Sequence, residues 1–311
     1  MRVVRHLTPG RRPFRRPVVA LGSFDGVHLG HRTIFERTRS LAVQRDSEAV
    51  AFTFWPHPIA VLAPDHAPRM ITSLARRLAV LRSVGLDGVF VQRFTRRFAA
   101  LAPEEFVRDW FVRGLGVAAV VVGYNVTFGH ERRGTPARLA ELGAEFGFDV
   151  EIVSPVEVGE IAASSSEVRR RIDAGDVAGA NRLLGRPHSL LGLVRHGDHR
   201  GARIGFPTAN VLPRGGLAPP DGVYAVRVGL DGEPPLRPGV ANLGSNPTFG
   251  ANARRLETHL FDFDGDIYGH RIEVALVERL RGETKFGSVE ELVARIRADA
   301  AEARSRLGAA R

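Results

Sequence analysis

Val18-Val19-Ala20-Leu21-Gly22-Ser23-Phe24-Asp25-Gly26-Val27-His28-Leu29-Gly30-His31 joins three local signals in one short run. The apolar residues Val18 to Leu21 read as a buried strand, Gly22 breaks it, and Asp25-Gly26 marks a turn. His28 and His31 follow, separated by Leu29-Gly30, where Ile34, Phe35, Thr38, Leu41 and Ala42 begin to recur at helical spacing. A strand, a glycine-rich turn and a helix start make an anion site, because backbone N–H groups and the positive end of the helix dipole face outward there. Two imidazoles in the same turn add donors that can follow charge as it builds in a transition state. The plain alternative is an ordinary strand-to-helix turn carrying two surface histidines. The string as a whole favours nucleotide chemistry, with Gly22, Phe24, Asp25, Gly26 and Gly30 as expected nucleotide or substrate contacts.

Outward from this turn, the alternation of strands and helices continues to about residue 185. Apolar runs at Val18–Leu21, Ala49–Phe54, Gly88–Val91, Ala118–Val122 and Asp149–Val153 are separated by helical stretches such as Ser73–Val84 and Pro103–Leu115. That pattern predicts βαβ units, hence a doubly wound, Rossmann-like α/β domain with a parallel sheet and ligands at the carboxyl ends of its strands. Near Leu183-Leu184-Gly185-Arg186-Pro187 the texture changes. Leu190–Arg195, Val223–Val228, Gly239–Leu243, Leu256–Phe263 and Ile272–Leu280 read as strands in an antiparallel sheet or small barrel. A last helix is predicted from Ser288, with Glu291 completing a capping box and Val289, Leu292, Val293, Ile296, Ala300, Ala303 and Leu307 forming its apolar stripe. Two domains are expected, residues 1–186 and 187–311.

Composition sets limits. The 311 residues are 44% hydrophobic, enough for two cores. The absence of cysteine excludes a disulfide scaffold, thiolate zinc and a cysteine nucleophile, and fits a reducing cytoplasm. No apolar run is long enough to span a bilayer, and the basic start Met1–Pro17 lacks a signal-peptide core. The net charge of +10 comes mostly from arginines spread over predicted helix faces, including Arg76, Arg77, Arg96, Arg97, Arg132, Arg133, Arg170 and Arg171. Without a basic and aromatic stripe, this charge fits small polyphosphate substrates better than nucleic acid or a membrane. Nothing in the sequence reads on oligomeric state.

Three more N-terminal segments fall on the expected rim. Pro56-His57-Pro58 fixes the backbone around one imidazole. Gly123-Tyr124-Asn125-Val126-Thr127-Phe128-Gly129 ends an apolar strand, and Asn125 there either holds a phosphate or ribose hydroxyl or bonds its own turn. Ser164-Ser165-Ser166-Glu167-Val168-Arg169 offers N-caps to a helix, or hydroxyls and an arginine to a pyrophosphate. The C-terminal half has Gly201-Ala202-Arg203-Ile204-Gly205-Phe206-Pro207-Thr208-Ala209-Asn210, in which Thr208 and Asn210 share a strand face and suit a hard metal such as Mg²⁺ beside phosphates. Glu257 and His259 share a face of a second strand, where a carboxylate is either a general base or a solvated surface group.

The run Leu21–His31, with its His28-Leu29-Gly30-His31 turn, resembles the flavin branch of the nucleotidyltransferase superfamily. That resemblance implies that His28 and His31 bind and polarise ATP phosphates, and that Asn125, Ser164, Ser165 and Arg169 complete an adenylyl-transfer site. Tyr124, Val126 and Ser166 depart from the usual residues of that branch. The C-terminal half is similar to the riboflavin kinase family over Gly205–Asn210, Asn242–Phe249, Glu257–Phe263, Asp266–Gly269 and Arg279–Phe286. By that similarity Thr208 and Asn210 hold Mg²⁺ and ATP phosphates, and Glu257 is the base for the ribityl 5′-hydroxyl. Arg281 and its neighbours line the flavin site, with Gly201, Arg203, Gly205, Phe206 and Pro207 near the nucleotide. Ala202 stands where many relatives carry a further arginine. Both halves in this order resemble the prokaryotic bifunctional FAD synthetases, whose substrates are riboflavin, FMN and ATP. Two other classes stay open: another adenylyl- or cytidylyltransferase, and a non-catalytic flavin- or nucleic-acid-binding protein.

Overall fold

Every residue of the Val18–Leu21 run is buried, and the run feeds two cores at once. Val19 and Leu21 pack with Val50, Phe52, Phe90, Val120 and Val122 on one face, while Val18 and Ala20 pack with Ala49, Ala51, Val89 and Val121 on the other. A strand covered on both faces belongs to the interior of a parallel sheet. The computed structural model describes residues 1–8, 11–196, 201, 204–245 and 254–309. These fall into two units, Met1–Arg69 with Leu74–Ser165, and Met70–Ser73 with Ser166–Arg311.

In the first unit, β1 (Arg2–Val4), β2 (Val18–Leu21), β3 (Ala49–Trp55), β4 (Gly88–Arg93), β5 (Ala119–Gly123) and β6 (Asp149–Val153) pair in parallel in the order β1-β4-β3-β2-β5-β6. From β2 the chain winds one way through β3 and β4, then returns to place β5 on the other flank. The reversal lies between β2 and β5, where a ligand crevice is expected at the carboxyl ends. The connections hold α1 (Leu29–Gln44), α2 (Pro58–Leu62), α3 (Leu74–Ser83), α4 (Arg96–Ala99), α5 (Pro103–Phe106) and α6 (Pro136–Phe146). After α5 the helix widens to π-type winding over Val107–Leu115, burying Val107, Phe111 and Leu115. A two-stranded ribbon, β7 (Glu157–Val158) and β8 (Ile161–Ala162), leads into α7 (Ser165–Asp173) and α8 (Val177–Leu184).

In the second unit, β9 (His188–Arg195), β10 (Ala209–Pro213), β11 (Gly222–Leu230), β12 (Arg237–Ser245), β13 (Arg254–Leu260) and β14 (Arg271–Arg281) close an antiparallel barrel in the order β10-β13-β12-β11-β14-β9. Its interior includes Leu190, Val211, Tyr224, Leu256 and Leu276. The final helix α9 (Val289–Ala309) lays Ala303 and Leu307 over Val223, Ala225, Val240 and Phe261 on the outer wall. Ser288 Oγ accepts from the Glu291 N–H, but the Glu291 carboxylate accepts from Gly287 N–H, so the expected capping box is shifted by one residue at its return bond. Val289, read as part of the apolar stripe, is 58% exposed because it precedes the turns that reach the barrel.

α7 and α8 group with the barrel unit. Val177 is part of the barrel core, and the Asn181 amide donates to Leu276 O at 2.9 Å and accepts from His188 N–H at 2.7 Å. A fragment starting at Ser166 is therefore expected to be more stable than one starting at Pro187 by about 3 kcal/mol, from one buried valine and a bridging amide. Denaturant midpoints of the two fragments measure this, and equal midpoints would show that α8 adds nothing to the barrel.

Candidate active sites

The turn after β2 is built from residues in the left-handed region: Phe24 (φ 51°), Gly26 (φ 78°) and Val27 (φ 48°). A β-branched residue there is strained and persists only where its surroundings hold it. The restraint is visible. Phe24, Asp25 and Val27 are fully buried, and Val27 N–H bonds to Phe24 O. Gly22 leaves room for the Phe24 ring, which a Cβ would meet at 2.8 Å.

Beneath the turn lies a residue whose role the sequence did not reveal. Arg77, counted among the solvated helix-face arginines, is completely buried on α3. It donates to Ser23 O at 2.9 Å and pairs with the buried Asp25 carboxylate at 3.6 Å, with its guanidinium 5.8 Å from the Trp55 ring. The helical position of Arg77 marks a face, but only the packed turn shows which neighbour the face meets. Asp25, expected among the substrate contacts, lies under the turn and shapes it. Arg77→Met is expected to lower stability by about 3–5 kcal/mol by stranding a buried carboxylate, with part of the loss recovered in Asp25→Asn/Arg77→Met. Thermal unfolding reads both, and no loss in the single variant would remove the pair from the account of the turn.

Above the turn, His28 caps α1 with extended backbone and is 7% exposed. The His28 and His31 rings stack with centroids 3.6 Å apart, and the Phe24 ring meets His31 edge-on at 5.2 Å. α1 has no side-chain cap and no acidic residue in its first turn, so nothing within the helix neutralises its positive end. Gly30 permits close packing, since a Cβ would lie 3.2 Å from the His28 ring and 3.3 Å from Ala163 O. The serine segment reaches the same place: Ser165 Oγ donates to Asp25 O at 2.9 Å across 140 residues of sequence.

His57 and Asn125 follow the ends of β3 and β5, whereas Ser164 precedes α7 and Arg169 lies within it. His57 follows β3 between the exposed Pro56 and the half-buried Pro58, and its Nδ1 accepts from Ile59 N–H at 3.3 Å, which caps α2. Asn125 is exposed just past β5. Tyr124 is exposed beside it, and Val126 packs onto the core. Ser164 is half-buried. Arg169 sits one turn into α7, in the portion grouped with the second unit. Its neighbours Arg170 and Arg171 are engaged by Glu167, whose carboxyl the adjacent Arg170 guanidinium holds down to about 2.

The second site is a cavity of about 650 Å³ in the barrel unit. Strand register builds it: Arg195, Asn210, Glu257, Asn242, Val223 and Arg281 form one cross-barrel row through successive pairings. All but Arg195 line the cavity. Leu256, Thr258 and Leu260 are buried, so the intervening Glu257 and His259 share the opposite face, as the period-2 reading required. Among the described residues no hydrogen bond or ion pair engages the Glu257 carboxylate, which faces the cavity.

Thr208, Pro207, Phe206 and Gly201 enter the same cavity from the loop before β10. Gly201 O accepts from Ile204 N–H at 3.1 Å and Phe206 N–H at 2.8 Å, and a Cβ on Gly201 would collide with the Phe206 carbonyl. Gly205, at φ +87°, turns the loop without lining the cavity. Ala202, Arg203 and the Asn246–Phe249 part of the quoted motif lie outside the described residues. Arg281 is already committed: it donates to both oxygens of the buried Asp299 and to Gly282 O, and lies 5.9 Å from the Phe286 ring. It therefore holds the 282–286 segment and α9 in place at the cavity wall. Asp299 is a lining residue that the sequence did not single out, because no local period places a helix residue beside a strand end, whereas Tyr268, also lining the cavity, lies within the Asp266–Gly269 stretch quoted above.

Comparison with known proteins covers both units. The family model described as FAD synthetase matches residues 11–167, and that described as riboflavin kinase matches residues 184–307. A bifunctional riboflavin kinase/FMN adenylyltransferase of Escherichia coli K12 is 40% identical over 291 residues, spanning 94% of this chain and 93% of the relative. Proteins with the same name from Pseudomonas fluorescens and Bacillus subtilis are 40% and 37% identical, spanning 98% and 93% of this chain and 97% and 92% of theirs. A crystal structure from Streptococcus pneumoniae, named a macrolide-efflux protein, matches with a TM-score of 0.85 and 32% identity, covering 96% of this chain and 97% of that one. No helix among the described residues here is long and apolar enough to cross a membrane.

Proposed function

The chain belongs to the bifunctional riboflavin kinase/FMN adenylyltransferase family, and on that premise we propose how its residues divide two ATP-dependent steps. The barrel unit phosphorylates riboflavin to FMN and releases ADP. The sheet unit transfers AMP from a second ATP to FMN, giving FAD and pyrophosphate. The functional division proposed is 1–186 and 187–311, supported by family matches that end at 167 and resume at 184. The observation that carries the reading is the cross-barrel row, which sets a carboxylate with no partner among the described residues between two amides inside a cavity.

In the kinase step, the ribityl 5′-hydroxyl oxygen attacks the γ-phosphorus, the bond to the bridging oxygen of ADP breaks, and Glu257 receives the hydroxyl proton. Thr208 and Asn210 are proposed to meet the ATP phosphates, with Gly201, Gly205, Phe206 and Pro207 shaping the loop that carries Thr208. Among the described residues no cluster of three or more His, Asp or Glu forms a cation cage. The hard oxygens of Thr208 and Asn210 instead suit Mg²⁺ that shares its remaining positions with phosphate and water. When bound there, Mg²⁺ would neutralise charge on the phosphates. Arg281 orders the 282–286 segment against which the flavin is proposed to lie.

In the adenylyl step, an FMN phosphate oxygen attacks the α-phosphorus and pyrophosphate leaves. The nucleophile is already ionised, so the work is holding two anions together and stabilising the leaving group. His28, His31, the α1 N-terminus and Ser164–Ser165 are proposed to do this. Asn125 and His57, at neighbouring strand ends, are proposed to contact substrate, as is Arg169. The proposed compartment is the cytoplasm. Chromatography after incubation with riboflavin, ATP and Mg²⁺ is expected to show FMN and then FAD. Adenylylation or cytidylylation of another acceptor in place of FMN, or flavin binding without turnover, would overturn the reading.

A further inference from the structure

His259 follows Glu257 by two residues on the same outward face of β13 and lines the same cavity. Its Nδ1 lies 2.8 Å from Pro207 O, the carbonyl that immediately precedes Thr208. A carbonyl oxygen only accepts, so Nδ1 carries the proton and the tautomer is set by this contact. The ring is held on two sides: Phe206 meets it edge-on at 5.5 Å and Phe261 at 5.8 Å. The loop it grips has few other restraints. Phe206 N–H is tied back to Gly201 O, and the strand ladder resumes only where Ala209 pairs with Thr258. Among the described residues, no other hydrogen bond holds the backbone of Pro207 and Thr208.

We propose that His259 is a positioning residue for riboflavin phosphorylation, fastening the Thr208 loop to the strand that carries Glu257. One side chain thereby sets the separation between the phosphate-binding hydroxyl and the proton acceptor. The inference rests on the reading of Thr208 and Asn210 as ATP contacts. Losing the bond lets the loop drift, which weakens the nucleotide site and leaves the flavin wall, built from Arg281, Asp299 and Phe286, as it was.

The test uses the full chain and three variants. His259→Leu keeps bulk without a donor, and His259→Asn restores an N–H near the position of Nδ1. His259→Leu is expected to raise KM for ATP in FMN formation about tenfold, with KM for riboflavin unchanged. His259→Asn is expected to recover most of that loss. The unchanged KM for riboflavin reports that the barrel is folded, and FAD formation from supplied FMN, carried by the other unit, should be unchanged in both. An unchanged KM for ATP in His259→Leu overturns the proposal, as does an equal loss for both substrates that His259→Asn fails to repair. Should His259→Leu not fold, a wild-type KM for ATP in His259→Asn supports the N–H as the operative group, and a raised one overturns it. Thr208→Ala separates the two levels: if it leaves KM for ATP unchanged, the underlying assignment of Thr208 fails. If it raises KM while His259→Leu does not, only the inference about His259 fails.

Discussion

Replacing His28 and His31 together by alanine is expected to abolish FAD formation from FMN and ATP while FMN still accumulates from riboflavin. The stacked rings stand at a helix N-terminus that has no side-chain cap, beside the end of β2, one of the sheet's two central strands. On the proposed assignment, charge on the departing pyrophosphate would be met there by donors fixed before the reaction begins, which is where preorganised groups contribute most. Losing one such donor costs about 3 kcal/mol of barrier, or roughly a hundredfold in rate. Two imidazoles in van der Waals contact act as a unit, so the double loss need not be the sum of the single ones. The kinase activity of the same chain is the internal control for concentration, and the thermal unfolding of the sheet unit controls for its folding. Near-normal FAD output from the double variant would sink the assignment of this turn to adenylyl transfer.

Glu257→Gln is expected to have the opposite signature. With riboflavin supplied, FMN formation should fall by about two to four orders of magnitude, the usual contribution of a positioned general base. With FMN supplied, FAD formation should proceed at the wild-type rate. Glutamine keeps the shape and hydrogen-bonding reach of the side chain, so the register with Asn210 and Asn242 survives. Loss of activity then reports the missing proton acceptor and not a collapsed wall. An unimpaired kinase in Glu257→Gln would return Glu257 to the status of a half-buried surface carboxylate. The two variants, assayed against both flavins, assign each step to its unit by crossed losses.

The strands of the parallel sheet were legible because each is a short apolar run bounded by glycine or polar turns, and burial on both faces demands that composition. The barrel segments were read as strands because Gly, Pro, Asp and Asn loops separate them, and the shared face of Glu257 and His259 followed from period-2 alternation, which burial on one face demands. The histidine turn was legible as a motif because its glycines and histidines are contiguous in sequence. The edge strand Arg2–Val4 was not, since three residues carry no period and its place is set only by the open edge of β4 at Gly88–Phe90. Nor was the burial of Arg77: an arginine on a helix face looks solvated until the strained turn above it supplies Ser23 O and Asp25. Composition and periodicity alone identified most of the helices and strands, the two fold classes and the chemical types along the rim. Tertiary structure decided which of those residues meet. Barrel closure aligns Asn210, Glu257 and Asn242 in one row, folding of the sheet unit brings Ser165 onto the Asp25 carbonyl across 140 residues of sequence, and β13 brings His259 to Pro207. Local periodicity encodes faces and ends, whereas partners across a sheet or turn depend on register and long-range closure, which no window of sequence contains.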